Sequence, residues 1–282
     1  MQGIIKTRAN PAKTSYTILL VGETGVGKSS LLELIANVLQ GNDVDHYDLD
    51  TLDHTNEQSG SNNQSQPDSV HLYQFTSKNG VVVSTVIYER GEYAEPLPKV
   101  RILDTPGLVD TGDIEQDELH NRRTATHIKD HIDSITAVLV LVNGTVPRVT
   151  VGTEHALSTL SAIFPESLGS NAAFIFTNVS SPLHCNFPVG ALPEVFSNAP
   201  RFLLDNPTSL QRRYLKLENL PNTTSQMAGF REEIKASEQP ALEMLVDVFD
   251  WLDGLDRPKI QNKAKMLLRK VMEMGAREVR RI

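Results

Sequence analysis

Residues 22–30 read GETGVGKSS and directly follow an apolar run, TILLV, at residues 17–21. This is the pattern G-x-x-x-x-G-K-[ST] after a predicted strand, and it predicts a phosphate-binding loop, or P-loop. The three glycines are Gly22, Gly25 and Gly27. Glycine lets the backbone turn tightly enough that successive N–H groups point at phosphate oxygens. An ordinary Gly-rich turn does not require Lys-Ser directly after its last glycine, so the pattern favours a nucleotide site.

The polar residues that end this loop each have a chemical use. Lys28 supplies a positive charge for the β- and γ-phosphates, which also makes it a candidate catalytic residue, and the Ser29 hydroxyl is suited to Mg²⁺. The helix predicted over residues 29–39 adds its positive N-terminal end. The expected ligand contacts are Gly22, Glu23, Thr24, Gly25, Val26, Gly27, Lys28, Ser29 and Ser30.

A second motif follows a predicted strand at residues 100–103, where the chain reads DTPG over residues 104–107. An Asp at the end of a strand near the P-loop is where a P-loop nucleotidase holds its Mg²⁺, usually through water. Asp104 is therefore the expected metal residue, and the Gly107 N–H is placed to sense a γ-phosphate. DTPG alone is an ordinary turn sequence. With the P-loop upstream, it indicates a switch of the GTPase type.

The composition limits the class of protein. The chain has 282 residues, of which 39% are hydrophobic, so a sizeable core is possible. Its net charge of −8 argues against a general nucleic-acid binder. Cys185 is the only cysteine, which excludes an internal disulfide and suits a reducing compartment. Because no apolar stretch approaches the ~20 residues of a membrane span and the N-terminus has no secretory apolar region, we expect a soluble, cytoplasmic protein.

Predicted strands alternate with predicted helices along the chain. An Asn79-Gly80 turn between strand-like runs predicts a hairpin over residues 70–88. Further strands are predicted at 137–142, 172–176 and 201–204, and a helix at 153–164. This alternation predicts an α/β fold with a doubly wound, mostly parallel sheet and helices on both faces. In such a fold, the nucleotide lies at the carboxyl ends of the strands.

The chain divides into three parts by composition. Residues 1–15 form a polar leader, residues 16–256 the nucleotide-binding domain, and residues 257–282 a basic amphipathic helix. That last helix either packs on the domain or leads into a further region, or it docks on an anionic membrane or a partner. Contact with a membrane is expected only through this segment.

The segment after the P-loop helix is acidic and then polar. In a GTPase this position belongs to switch I, here about Asp45 to Ser69, which orders only around the γ-phosphate and Mg²⁺. Ser65 and Ser69 are the candidate hydroxyl ligands within it. A metal site made from the aspartates between Asp43 and Asp53 is disfavoured, because their spacing matches no metal loop.

With these motifs, the chain resembles the septin-like branch of P-loop GTPases. It is most similar to the immune-associated and avirulence-induced (AIG-type) G domains and to their chloroplast import relatives. Four stretches carry the resemblance: GETGVGKSSLLELIAN at 22–37, RILDTPGLVDTGD at 101–113, AVLVLVNGTVPRVTVGTEHAL at 137–157 and AAFIFTNVSS at 172–181. The resemblance implies a G domain over roughly residues 16–255 that binds GTP or GDP with Mg²⁺ and hydrolyses GTP.

One departure from the family pattern concerns the base. Such GTPases read guanine with Asn-Lys-x-Asp or Thr-Lys-x-Asp, and the matching positions here are Thr177, Asn178, Val179 and Ser180. A carboxylate that accepts two hydrogen bonds from guanine is a strong discriminator, and the Ser180 hydroxyl is not. Asp205 and Asn206 resemble the second base-contacting loop, so Asp205 is the candidate to take over part of the reading.

The other departure concerns catalysis. The residue after DTPG is Leu108, where small Ras-like GTPases place a Gln that orients the attacking water. Hydrolysis is therefore expected to be slow without help. Members of the resembled group dimerise across the nucleotide face, which makes Arg148 the candidate to reach a partner's phosphates. Arg122 and Arg123 are alternatives, and an ordinary surface role remains open for all three.

Three functions are compatible with the sequence. The leading hypothesis is a slow GTPase that acts as a switch or a nucleotide-dependent assembly module. Ser180 leaves room for an ATPase or a base-unselective triphosphatase. Leu108 leaves room for a scaffold that holds nucleotide without turnover. The expected partners are a guanine nucleotide and a second copy of the chain, with no nucleic acid.

Overall fold

The computed structural model describes residues 15–50, 71–75, 99–104, 135–154, 157, 170–218 and 227–255. Six strands lie within this part of the chain: β1 Ser15–Val21, β2 His71–Phe75, β3 Lys99–Asp104, β4 Ala137–Asn143, β5 Ala172–Thr177 and β6 Arg201–Leu204. Three long helices accompany them: α1 Lys28–Gln40, α2 Pro207–Glu218 and α3 Met227–Gly254. Three short 3-10 turns between β5 and β6 cover Pro182–His184, Val189–Ala191 and Glu194–Phe196.

The strands form one sheet in the order β2-β3-β1-β4-β5-β6. All neighbouring pairs are parallel except β2 with β3, which is antiparallel at the edge. From β1 the chain builds β2 and β3 on one side and β4 to β6 on the other. The strand order therefore reverses at β1, and the crevice beyond its carboxyl end is the expected ligand position. The predicted doubly wound, mostly parallel α/β fold is confirmed.

Each central strand is buried on both faces, because alternate side chains enter two separate apolar clusters. In β4, one set (Ala137, Leu139 and Leu141) packs with residues of α1, α2 and α3. The other set (Val138, Val140 and Val142) packs with Leu157 and with residues of the segment between β5 and β6. This explains the unbroken apolar run, which is typical of a parallel strand covered on both sides.

The predicted elements in the described part are confirmed within one or two residues at their ends. Helix α1 stops at Gly41, whose φ of 81° is the left-handed conformation that Gly favours at a helix end. Residues 151–154 and 157 are helical, as predicted for 153–164, and the rest of that helix lies outside the described residues. The second strand of the predicted hairpin, the leader at 1–14 and the segment 257–282 also lie outside them.

Two features were not predicted. Helices α2 and α3 are not among the elements predicted from the sequence, and α3 contains Pro240 in its interior. Residues 42–50, expected to be an acidic loop, pack through Val44 and Tyr47 into the cluster shared with α1 and α3. None of the described helices is long and apolar enough to cross a membrane.

Candidate nucleotide-binding site

The P-loop connects β1 to α1 in a backbone path that only glycine allows at two points. At Gly22, an added Cβ would lie 2.7 Å from the Leu141 carbonyl oxygen and 2.9 Å from Val26 Cγ1. At Gly27, φ is 105°, a value that other residues rarely adopt. Substitution at either position would therefore force the loop open.

Lys28 is the first residue of α1 and is folded back over the P-loop. Its Nζ donates to the carbonyl oxygens of Gly22, at 2.8 Å, and Glu23, at 3.1 Å. The side chain is buried, with 8% of its surface exposed. A buried ammonium held by the backbone carbonyls of a P-loop is a positive charge already in place for an anion.

The N-terminus of α1 is open to a ligand. Gly27 makes no side-chain cap, and the first turn of the helix contains no acidic residue. The positive end of the helix dipole and its first N–H groups therefore face the same region as Lys28. Together these groups can hold a phosphate chain.

Ser29 and Asp104 supply the oxygen donors expected for Mg²⁺. Ser29 is exposed in the first turn of α1, and Asp104 is a buried residue at the end of β3. Asp104 pairs in register with Leu20 of β1, two residues before the P-loop begins. A hydroxyl and a carboxylate are ligands that Mg²⁺ accepts, with phosphate oxygens and water as the others. The residues present therefore fit the ion.

Glu23 has a role that the sequence did not reveal. Its Oε1 accepts hydrogen bonds from the hydroxyls of Thr150 and, at 3.1 Å, Thr153. Thr150 Oγ1 also accepts a hydrogen bond from the Thr153 N–H at 3.1 Å, as an N-cap does. The P-loop is thereby fastened to the start of the helix that follows β4. The spacing T-x-x-T before a helical pattern was the only signal for this contact.

Arg148 lies in that same connection, two residues before Thr150, and its side chain is exposed. The turn before it is stabilised by Asn143, whose Oδ1 accepts from the Thr145 N–H at 3.1 Å and the Thr145 hydroxyl at 2.9 Å. Arg148 is therefore an exposed cationic side chain near the carboxyl end of β4. The catalytic role of Arg148 stays a prediction from the sequence.

The loop after β5 contacts the P-loop directly. Thr177 is buried, and its Oγ1 donates to the Val26 carbonyl oxygen at 2.8 Å. Asn178 follows with a φ of 60°, the left-handed conformation, which Asn tolerates better than most residues. Ser180 is exposed, with its Oγ 3.3 Å from His184 Nδ1. No carboxylate stands at the Ser180 position.

The loop after β6 brings Asp205 and Asn206 to the same edge. Asn206 caps α2, since its Oδ1 accepts from the Thr208 N–H at 3.0 Å and the Thr208 hydroxyl at 2.9 Å. The Asn206 Nδ2 has no hydrogen-bond partner among the described residues. Burial raises the pKa of Asp205, nearby Glu233 raises it further, and Arg213 opposes both. Asp205 is therefore a half-buried carboxylate in a setting that favours a hydrogen-bond donor from outside.

Arg213 of α2 contacts the loop after β5 and was not predicted from the sequence. One of its terminal nitrogens donates to Asn178 Oδ1 at 2.9 Å. No local pattern links residues 35 positions apart, so only the fold reveals this contact.

Residues 17–166, more than half of the chain, match a family model described as 50S ribosome-binding GTPase. The chain belongs to this GTPase family. The resemblance to P-loop GTPases stated above is thereby confirmed at this level, and guanine nucleotide is the ligand expected of a G domain of this family.

Solved structures of similar proteins include two of Toc33 from Arabidopsis thaliana. One is a dimerization-deficient mutant (14% identity, TM-score 0.37, covering 89% of this chain and 68% of that chain). The other is a complex with GDP and Mg²⁺ (15% identity, TM-score 0.36, covering 90% and 68%). A third is the FeoB G-domain from Methanococcus jannaschii (16% identity, TM-score 0.34, covering 73% and 97%). No curated protein matches the sequence.

Several predicted site residues lie outside the described part of the chain. These are Gly107, Leu108, Arg122, Arg123 and the switch I segment from residue 51 onward, with Ser65 and Ser69. The remaining predicted residues meet at one edge of the sheet: the P-loop and Asp104 on one side, and Thr177, Asn178, Asp205 and Asn206 on the other.

Proposed function

We propose that the protein binds GTP and GDP with Mg²⁺ and hydrolyses GTP slowly, as a switch or nucleotide-dependent assembly module of the septin-like, AIG-type branch. The observation that carries this proposal is the P-loop cradle, in which buried Lys28 is held by the carbonyls of Gly22 and Glu23 at the open N-terminus of α1. This cradle is suited to a phosphate chain and to little else.

The chain's own groups account for the binding of the triphosphate. Lys28 exchanges its carbonyl contacts for the β- and γ-phosphates, and the loop N–H groups hold the remaining oxygens. Ser29 and Asp104 would hold Mg²⁺, and the bound ion would supply positive charge beside the phosphates. A water molecule then attacks the γ-phosphorus in line with the bond to the leaving GDP, and inorganic phosphate is released.

The proposed base site lies between the loops after β5 and β6. Thr177 anchors the first loop to the P-loop, and Asn178 and Asp205 present an amide and a carboxylate. Asp205 takes over part of the guanine recognition that an Asp at position 180 would provide. Guanine is therefore preferred over adenine, but less strongly than if positions 180 and 205 both carried a carboxylate.

Slow turnover follows from Leu108, which has no group that can orient water. We propose that a second copy of the chain supplies Arg148 across a nucleotide-dependent interface. The exposure of Arg148, close to Thr150 and thus to the P-loop residue Glu23, supports this placement. The two further proposals are a cytoplasmic location and membrane contact only through residues 257–282.

Two other functions have specific support. Ser180, a hydroxyl at the base-reading position, favours a base-unselective triphosphatase. Leu108, an apolar residue at the water-orienting position, favours a scaffold that holds nucleotide without turnover.

One set of measurements separates the three. Calorimetric titrations with GDP, GTP, ADP and ATP, with and without Mg²⁺, are combined with phosphate release under multiple turnover. A slow GTPase binds GDP more tightly than ADP and releases phosphate from GTP at a low rate. Equal affinity for GDP and ADP establishes the unselective enzyme, and tight GTP binding without phosphate release over many hours establishes the scaffold. No binding of any of the four contradicts the proposal.

A further inference from the structure

Helix α2 is held in a fixed position beside the base loops. Thr208 Oγ1 donates to the Ser30 carbonyl oxygen of α1 at 3.0 Å. One turn later, the guanidinium of Arg212 makes two hydrogen bonds to the buried carboxylate of Glu33, at 3.1 Å from Nε and 2.6 Å from the terminal nitrogen. Two-point contacts of this kind fix direction as well as distance. Helix α2 therefore cannot rotate about its axis without losing them.

The next residue, Arg213, points to another side of the helix and reaches the loop after β5. Its terminal nitrogen lies 2.9 Å from Asn178 Oδ1. A guanidinium only donates hydrogen bonds, so the atom facing it must be the amide oxygen. This contact fixes which end of the Asn178 amide faces Arg213. The Nδ2 group is turned away, and its one contact within the described part of the chain is a long one of 3.4 Å with Thr177 Oγ1.

The Asn178 amide N–H₂ is thereby a donor without a strong acceptor among the described residues, in the same loop that contacts the P-loop. Purine bases carry an acceptor, N7, on the edge that both adenine and guanine share. We propose that Arg213 is a positioning residue that fixes Asn178 Nδ2 to donate to purine N7, so that base affinity depends on a helix outside the base loops. This inference rests on the proposed nucleotide-binding function.

Arg213 also acts on the second base loop. Its positive charge favours the ionised form of Asp205, against burial and against Glu233. An ionised carboxylate is the form that accepts hydrogen bonds from the N–H groups of guanine, which adenine does not offer in that arrangement. Arg213 thus orients the Asn178 Nδ2 donor, which can bind any purine. It also favours the ionised Asp205 carboxylate, which prefers guanine.

The test is a cycle in which the protein and the ligand each lose one group. GDP and 7-deaza-GDP, which has a C–H in place of N7, are titrated against the natural chain and Arg213→Met. The natural chain is expected to bind GDP about two- to tenfold more tightly than 7-deaza-GDP, the range for one hydrogen bond. Arg213→Met keeps the apolar stem of the side chain and is expected to bind the two with equal affinity.

Matched variants separate positioning from structural damage. Arg213→Lys keeps a cationic donor and is expected to keep part of the preference for GDP over 7-deaza-GDP. Arg212→Met leaves the buried Glu33 carboxylate without its guanidinium and is expected to lower the unfolding midpoint while the preference stays. Asn178→Gly, which suits the left-handed backbone, is expected to remove the preference, and adding Arg213→Met to it changes nothing more.

Three results overturn the inference. One is a natural chain that binds GDP and 7-deaza-GDP equally, and another is an Arg213→Met chain that keeps the full preference. The third is an Arg212→Met chain that loses the preference as fully as Arg213→Met does. In each case GDP still binds, so the proposed function stands. A natural chain that binds no GDP contradicts both.

Discussion

Thr177 Oγ1, at the end of β5, donates a hydrogen bond to the Val26 carbonyl oxygen in the P-loop across 2.8 Å. The two residues are 151 positions apart in the sequence. Thr177 also lies 3.4 Å from the Val142 carbonyl oxygen of β4. This buried hydroxyl therefore links the loop proposed to bind the base with the loop proposed to bind the phosphates.

Thr177→Val tests this link, because it removes the hydroxyl and keeps the shape. A buried carbonyl that loses its partner costs about 1–3 kcal/mol, and we expect this loss in the free energy of unfolding. Affinity for GDP is expected to fall as well, since the two loops are no longer held together. Thr177→Ser keeps the hydroxyl and is the control. Unchanged GDP affinity in a Thr177→Val chain of lower stability would show that the link is structural only.

Lys28→Ala is expected to abolish most nucleotide affinity, because the phosphates lose the buried ammonium at the P-loop. Ser29→Ala removes only a proposed Mg²⁺ ligand. It is expected to weaken GTP binding in the presence of Mg²⁺ more than GDP binding. Calorimetry with both nucleotides, with and without Mg²⁺, measures both effects. Full affinity in Lys28→Ala would mean that the nucleotide lies elsewhere.

Ser180→Asp introduces the carboxylate that the loop after β5 does not have. We expect the ratio of GDP affinity to ADP affinity to rise, because two charge-assisted hydrogen bonds to guanine become available. Ser181→Asp is the matched control: it adds the same charge one residue later, and Ser181 Oγ likewise lies near His184 Nδ1, at 3.4 Å. An equal rise in both variants would indicate a general charge effect and not base reading.

The P-loop, α1 and the central strands could be predicted from the sequence because their signals are local. Gly22, Gly27 and Lys28 lie within seven residues, and each is required by the backbone path or the charge that the loop needs. The unbroken apolar runs of β4 and β5 likewise give their burial on both faces. Because parallel strands align their carboxyl ends, these elements also predict where the site lies.

The contacts that shape the base site could not be predicted, because they depend on how distant elements pack. The sequence alone does not distinguish Arg213 from other surface arginines. Its contact with Asn178 is seen only when α2 is placed in the fold. Pro240 discourages a helix assignment in any local reading, and the packing of α3 against the sheet overrides it. Val44 and Tyr47 lie among aspartates, so their local composition suggests a solvated loop and hides their burial.

Asp205 predicts a dependence of base preference on pH. Its pKa is raised above the ordinary value of 3.8, chiefly by burial, with Glu233 adding to the rise and Arg213 opposing it. The ionised form is the one that accepts from guanine, so it is fully present above the raised pKa and is lost as pH falls through it. The GDP-to-ADP affinity ratio is therefore expected to fall on acidification.

The phosphates of GDP and ADP titrate alike, so their effect on affinity cancels in the ratio. Asp205→Asn is expected to give a low ratio that hardly changes with pH. A ratio that falls equally in the natural chain and in Asp205→Asn would assign the effect to another group.

The last prediction concerns Arg148, which is exposed in the connection that Glu23 and Thr150 fasten to the P-loop. An arginine supplied across an interface stabilises the charge of the transition state and adds ~10³-fold or more to such reactions. Specific activity is therefore expected to rise with protein concentration, and Arg148→Ala is expected to flatten this rise while GDP affinity stays nearly unchanged. Arg201→Ala is the control, because Arg201 is an exposed arginine at the opposite, amino end of its strand, bonded to the Ser197 carbonyl oxygen at 2.9 Å.

If specific activity does not depend on concentration, and the chain stays monomeric with a triphosphate analogue, the second copy is excluded. Turnover would then need a different activating partner, or the protein would be the scaffold that holds nucleotide without hydrolysis.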